Sequence, residues 1–86
     1  EASKEMLAVM KRNQDQACIR RSLQDLTVAN KSGALDALRS DVGIVYTAHG
    51  RVAMAITCDD MPKIDYSPEN KGAILISKLA VILANL

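Results

Sequence analysis

The C-terminal stretch constrains this chain most. Residues 73–84, Ala-Ile-Leu-Ile-Ser-Lys-Leu-Ala-Val-Ile-Leu-Ala, are apolar on nearly every face of a helix. A helix of that kind needs protein on more than one side. It is too short to span a membrane, and Ser77 and Lys78 interrupt it. A chain of 86 residues supports one small domain and one modest core. That core has to be aliphatic, because Tyr46 and Tyr66 are the only aromatic residues. Three strands and a short helix do not cover such a segment. The expectation is therefore a piece of a larger protein or one half of an assembly. The opening at Glu1, directly in a helical pattern, points the same way. The surplus face would meet the missing portion of the fold or a second copy.

Upstream of that helix the punctuation is regular. Ser3 is placed to cap a helix over Lys4–Asn13, with Met6, Leu7, Val9 and Met10 as its apolar stripe. Asp15 opens a second short helix to about Ser22, anchored by Ala17, Ile19 and Leu23. Arg20 and Arg21 read as a solvated edge. Thr27–Lys31 is the first strand, β-branched at its start. Ser32–Ser40 reads as a loop holding Gly33, Asp36 and Arg39. Asp41–Ala48 is the second strand, apolar on both faces as in a covered sheet. His49-Gly50 makes a tight turn, and Arg51–Asp59 returns as the third strand with Val52, Met54, Ile56 and Cys58 on one face. Ser67-Pro68-Glu69 predicts the start of the closing helix: a hydroxyl cap, a proline at the first turn and a carboxylate at the positive end of the dipole. The expected domain is thus one partial α+β unit over 1–86, an antiparallel meander with flanking helices. Helices lie within 3–23, strands at 27–31, 41–48 and 51–59, and a helix over 67–84.

Composition excludes several functions. The formal charge is +1 with no basic run, so nothing favours nucleic acid or an anionic membrane as partner. Cys18 and Cys58 stand alone, with no Cys-x-x-Cys, and the single His49 has no ligand neighbour, so no metal or other cofactor is expected. Both cysteines read as buried free thiols. Asp59-Asp60 before Pro62 reads as turn capping rather than an acid–base or metal pair.

One step has a specific chemical reading: Lys31-Ser32-Gly33 at a strand end. Lysine brings a compact cation with three donors, and the hydroxyl both donates and accepts. Glycine lets a ligand lie against the backbone. The Ala34 amide that follows can stabilise an oxyanion. The set suits a substrate with a carboxylate on one side and an acyl carbonyl on the other. Taken by itself, the triplet is better explained as a polar strand end entering a turn.

The surroundings add weight. Ser3-Lys4-Glu5-Met6-Leu7, Met10, Asn13-Gln14-Asp15 and Ile19-Arg20 precede the triplet. Val28-Ala29-Asn30-Lys31-Ser32-Gly33 and Arg39-Ser40-Asp41-Val42-Gly43-Ile44-Val45-Tyr46 carry it. Together they resemble the C-terminal part of the class A β-lactamase family and its relatives among penicillin-recognising serine hydrolases, a serine transpeptidase-like fold whose third motif is Lys-Thr-Gly or Lys-Ser-Gly on an edge strand. The resemblance implies that Lys31 places positive potential beside the nucleophile and the substrate carboxylate. It implies that Ser32 hydrogen-bonds that carboxylate, that Gly33 permits close approach, and that Ala34 N–H is one oxyanion donor. Arg39 would assist with the carboxylate; the family sets its anchoring arginine on the next strand, whereas Arg39 reads as a loop residue, and Asp41 is an alternative structural partner for it. The substrate class implied is a β-lactam or a peptidoglycan-like molecule, and the compartment is periplasmic or secreted, although no signal peptide occurs in this segment. The Ser-x-x-Lys nucleophile motif and the Ser-Asp-Asn-type loop are both missing. Alone, the segment is expected to be inactive. A penicillin-binding peptidase or esterase of the same fold fits the same residues. So does a non-enzymatic α+β module that uses the apolar helix as a partner surface.

Overall fold

The computed structural model describes residues 2–12, 16–62 and 64–86. It is an α+β arrangement. Helix α1 (Ala2–Lys11) leads through a 3-10 turn (Ile19–Ser22) into strands β1 (Thr27–Leu35), β2 (Leu38–Thr47) and β3 (Gly50–Cys58), and helix α2 (Lys71–Ala84) closes the chain. The strands form one antiparallel sheet in the order β1-β2-β3.

Strand parity divides the sheet into two faces. Val28 pairs with Val45, and Val45 with Val52, and these lie on the face with Met54 and Ile56. That face forms the core with Cys18, Ile19 and Leu23 from the 3-10 region and Ala73, Ile76 and Ala80 from α2. The other face carries Ala29, Val42, Ile44, Tyr46, Ala53 and Ala55. Helix α1 packs over β1, with the Lys11 ammonium 4.5 Å from the Tyr46 ring centroid. Val42 remains 44% exposed there, and Ala53 and Ala55 are also exposed. The second face is therefore less covered than its apolar sequence predicts, among the described residues.

Several boundaries differ from expectation. The loop expected over 32–40 is strand on both sides of a two-residue turn, Asp36-Ala37, which closes on the pair Leu35–Leu38. Gly33 does not break the strand, because the register pairs it with Ser40 and satisfies its backbone. Arg39 is consequently a strand residue. Helix α1 starts before Ser3, so Ser3 is not its cap, and Met6 and Val9 stay exposed. The helix expected from Asp15 is reduced to the 3-10 turn, and Asn13–Asp15 fall outside the described residues. The closing helix begins at Lys71 rather than near Ser67. Ser67-Pro68-Glu69-Asn70 instead forms a turn, with Asn70 N–H donating to Ser67 O at 3.1 Å, because serine first and proline second suit a turn as well as a helix start. The cap is Asn70, whose Oδ1 accepts from Ala73 N–H at 3.1 Å and whose Nδ2 donates to Asp65 O at 2.7 Å.

The second hairpin forms as expected, but its turn is Ala48-His49 rather than His49-Gly50. Gly50 is the first residue of β3 and takes φ +129°, open only to glycine at low cost. Cys18 is buried and Cys58 half-buried, and the two are not joined in a disulfide. Asp59 accepts from Asp60 N–H at 2.7 Å, and Asp60 is left-handed at φ 60°, a turn role.

Candidate functional site

The chemistry-bearing triplet lies on β1, an edge strand of the sheet. In an antiparallel hairpin closed by a two-residue turn, the flanking pair is hydrogen-bonded and the pairs then alternate. Leu35–Leu38 is that flanking pair, so Ala34, Ser32, Asn30 and Val28 turn their backbone groups away from β2 toward the open edge. Two side chains take edge carbonyls. Arg20 Nη2 donates to Val28 O at 2.5 Å, and Lys31 Nζ donates to Ser32 O at 2.6 Å. Arg20 also holds Met10 O and Lys11 O at the end of α1, each at 3.0 Å. Arg20 thus occupies the N-terminal half of the edge, and Lys31 holds the Ser32 carbonyl at the other end.

Ser32, Gly33, Ala34 and Arg39 converge on a cavity of about 240 Å³, with Ala17 and Cys18 on one wall and Tyr66, Ser67 and Pro68 on another. Four of the five residues singled out in the sequence meet there. Lys31 does not line the cavity: parity puts its side chain on the α1 face, and it curls to the edge, where its ammonium rests on Ser32 O. A Cβ added at Gly33 would meet nothing within 4 Å, so the space beside that backbone is open.

Arg39 sits opposite Ala34 on β2 and is 5% exposed. Its guanidinium donates to Leu35 O and Leu38 O, both at 2.7 Å, and to Asp65 O, and stacks over the Tyr66 ring at 4.7 Å. Asp41 does not pair with it. Asp41 is fully buried; its Oδ2 accepts from Ile19 N–H at 3.0 Å, and Asn30 Nδ2 donates to its Oδ1 and Oδ2 at 3.1 and 3.0 Å. The alternative structural pair expected between Arg39 and Asp41 does not form: Arg39 is held by backbone carbonyls, and Asp41 by Asn30 and the Ile19 amide. Arg20 and Arg21 are not merely a solvated edge either. Arg20 Nε reaches Asn30 Oδ1 at 2.6 Å, and Arg21 binds Pro68 O and the Glu69 carboxylate.

Two groups beside the cavity have perturbed ionisation. The Tyr66 hydroxyl donates to Asp36 Oδ1, which raises its pKa above the ordinary phenol value. Asp65 is held below the usual carboxylate range by the Ser67 hydroxyl and backbone N–H. Asn30, Asp41 and Tyr66 were not visible as site residues in sequence. For Asn30 and Asp41 the signal was available: each occupies an inward position of an apolar strand face. Tyr66 carries no such signal, since only the long-range return of the chain brings it to Arg39.

Among curated proteins no relative matches. The chain superposes on a structure titled "Structure of PBP-A" with a TM-score of 0.76 at 22% identity, covering 95% of this chain and 30% of that one. A mutant of the same protein, described as an acyl-enzyme complex with penicillin-G, matches equally well. The chain therefore spans less than a third of the structures it resembles, and the likeness establishes the fold. The sequence profile of the β-lactamase enzyme family covers residues 1–86 in full. The chain belongs to the β-lactamase enzyme family.

Proposed function

We propose that this chain is the C-terminal portion of a β-lactamase-like serine hydrolase, supplying the Lys-Ser-Gly edge and one oxyanion donor. A serine from the rest of the fold attacks the lactam carbonyl. The ring C–N bond opens, the ring nitrogen takes a proton, and water then releases the acyl group from the serine. Lys31 supplies positive potential to the carboxylate and the developing oxyanion. Ser32 binds the carboxylate, Gly33 leaves room for the ring, and Ala34 N–H meets the oxyanion. Arg39 lies on the strand next to the triplet, the position the family gives its anchoring arginine. No helix among the described residues is long and apolar enough to cross a membrane; the family likeness favours a periplasmic or secreted site of action.

The observation that carries this reading is the convergence of Ser32, Gly33, Ala34 and Arg39 on one cavity, with the Lys31 ammonium on the neighbouring Ser32 carbonyl. A peptidase of the same fold is the second reading, favoured by the penicillin-binding name of the matched structures. It predicts rapid acylation by penicillin with little turnover. The test is acylation of the intact protein by a chromogenic β-lactam. Lys31→Ala removes a charge-assisted contact of roughly 1.5–3 kcal/mol, so acylation should fall at least about tenfold. Ser32→Thr keeps the hydroxyl and should be mild, whereas Ser32→Ala should weaken carboxylate recognition. If Lys31→Ala is acylated as fast as the unsubstituted protein, the triplet is only a strand end.

A further inference from the structure

Behind the triplet lies a closed ring of buried polar contacts. Ile19 N–H donates to Asp41, Asn30 Nδ2 donates to both oxygens of Asp41, and Arg20 Nε donates to Asn30 Oδ1. Arg20 follows Ile19 in the chain, so the ring closes covalently. Asn30 is 1% exposed and Asp41 0%. Buried polar groups of this kind are costly unless every member is paired, and a paired ring tolerates one geometry. Gly43 makes the ring possible: a Cβ there would lie 2.6 Å from Ala29 O and 2.9 Å from Asn30 Cβ, so only glycine lets Asn30 cross β2 toward Asp41.

The position of the ring gives it a consequence for the cavity. Asn30 is the residue before Lys31, and Asp41 pairs directly with Ser32. On the other side, Ile19 follows Ala17-Cys18, the opposite wall. One hydrogen-bonded ring thereby joins both walls. Its Arg20 member also occupies the Val28 carbonyl, closing the edge where the ring ends.

We propose that Asn30, Asp41 and Arg20 are positioning residues: they set the gap between the Ala17–Cys18 wall and the Ser32–Ala34 edge, and they confine an extended ligand to the Ser32–Ala34 half of β1. This rests on the hydrolase reading for its consequence in catalysis but not for its geometry.

The ring can be broken and rebuilt with reversed polarity. Asn30→Asp sets two carboxyl groups against each other. Asp41→Asn leaves two amides competing, with one carbonyl oxygen at position 41 for two donors. The double variant restores complementarity. The carboxylate at position 30 accepts from Arg20 Nε and from the amide at 41, whose carbonyl takes Ile19 N–H. The experiment uses the intact protein, with acylation by penicillin G measured per folded molecule, as judged by circular dichroism, alongside the amide resonances of Cys18, Ser32 and Ala34. Each single variant should lower the acylation rate at least about tenfold and move those resonances, because an unsatisfied buried group is relieved by shifting one wall against the other. The double variant should return both. Where a single variant does not fold, the double variant and Arg20→Lys, at a half-buried position, decide the matter. A double variant that folds but stays slow, or an Arg20→Lys protein with unmoved resonances, overturns the proposal. So does a set of single variants that melt earlier yet acylate at the original rate, since that is a merely structural role. If the unsubstituted protein is not acylated at all, the hydrolase reading fails, and the resonances alone then decide the ring: shifted and restored supports it, unmoved refutes it.

Discussion

Gly33 and Gly43 carry opposite demands although they lie on paired strands. At Gly43 a side chain would press on the backbone of β1, with Ala29 O 2.6 Å from the added Cβ. Gly43→Ala is therefore expected to cost about 1–3 kcal/mol by overpacking, seen as a lower denaturation midpoint. At Gly33 the added Cβ meets nothing. Gly33→Ala should leave the denaturation midpoint unchanged, because the methyl group enters open space on the α1 face of β1. A lowered midpoint would show that this space is filled in solution. Tyr66 offers a second residue-level reading. Its phenol donates to Asp36, so its pKa lies above the ordinary value near 10. A raised pKa in the folded state stabilises the fold below the unfolded phenol value, and that contribution is lost as pH rises through the folded value. In a Tyr46→Phe background the ultraviolet titration reports Tyr66 alone. Its midpoint should lie above 10, and Asp36→Asn should bring it down. An unshifted midpoint would show that the pair does not persist in solution.

Among the elements, helix α2 separates two start signals that look alike in sequence. Ser67-Pro68-Glu69 has the composition of a helix start, yet the cap is Asn70, held from both sides by Ala73 N–H and Asp65 O. Asn70→Ala is expected to lower stability by about 1–2 kcal/mol, whereas Ser67→Ala removes no cap and should cost less. Chemical denaturation compares the two, and a larger loss at Ser67 would return the helix start to the earlier residue. The contrast explains what was legible. Periodicities survive translation into structure, so the hairpin, the inward set Val52, Met54 and Ile56, and the order of elements are read directly from the chain. Ends do not, because the same serine and proline serve a turn or a helix and only the tertiary partner chooses. The Ser32–Ser40 segment failed in the same way: Gly33 and Asp36 look like loop residues until Leu35 meets Leu38 and pins the register. The site divides likewise. The triplet and Arg39 are chemically conspicuous and were readable, whereas Asn30 and Asp41 matter through a ring whose third member lies on another element.

On the scale of the whole molecule, the apolar surface exceeds what these elements cover. Along α2, Leu75, Leu79 and Ile82 follow one another at helical spacing on the side away from Ile76 and Ala80, and they remain 47%, 39% and 59% exposed. Across the molecule, Val42 at 44% exposure stands with Ala53 and Ala55 on the open sheet face. Isolated apolar residues on a surface are ordinary, but a stripe of three large aliphatics and an apolar sheet face on one small chain mark surfaces built to be covered. The chain spans 30% of the matched structures. Alone in solution, the 86-residue chain is expected to bury the α2 stripe against a second copy. Sedimentation velocity is expected to give a dimer or larger species for the chain alone. Leu79→Lys with Ile82→Lys should shift it to monomer without loss of helix content, since both side chains point away from the core. A chain that sediments as a monomer before any substitution would show that the stripe is tolerated in water, and the case for a covering partner on α2 would fall.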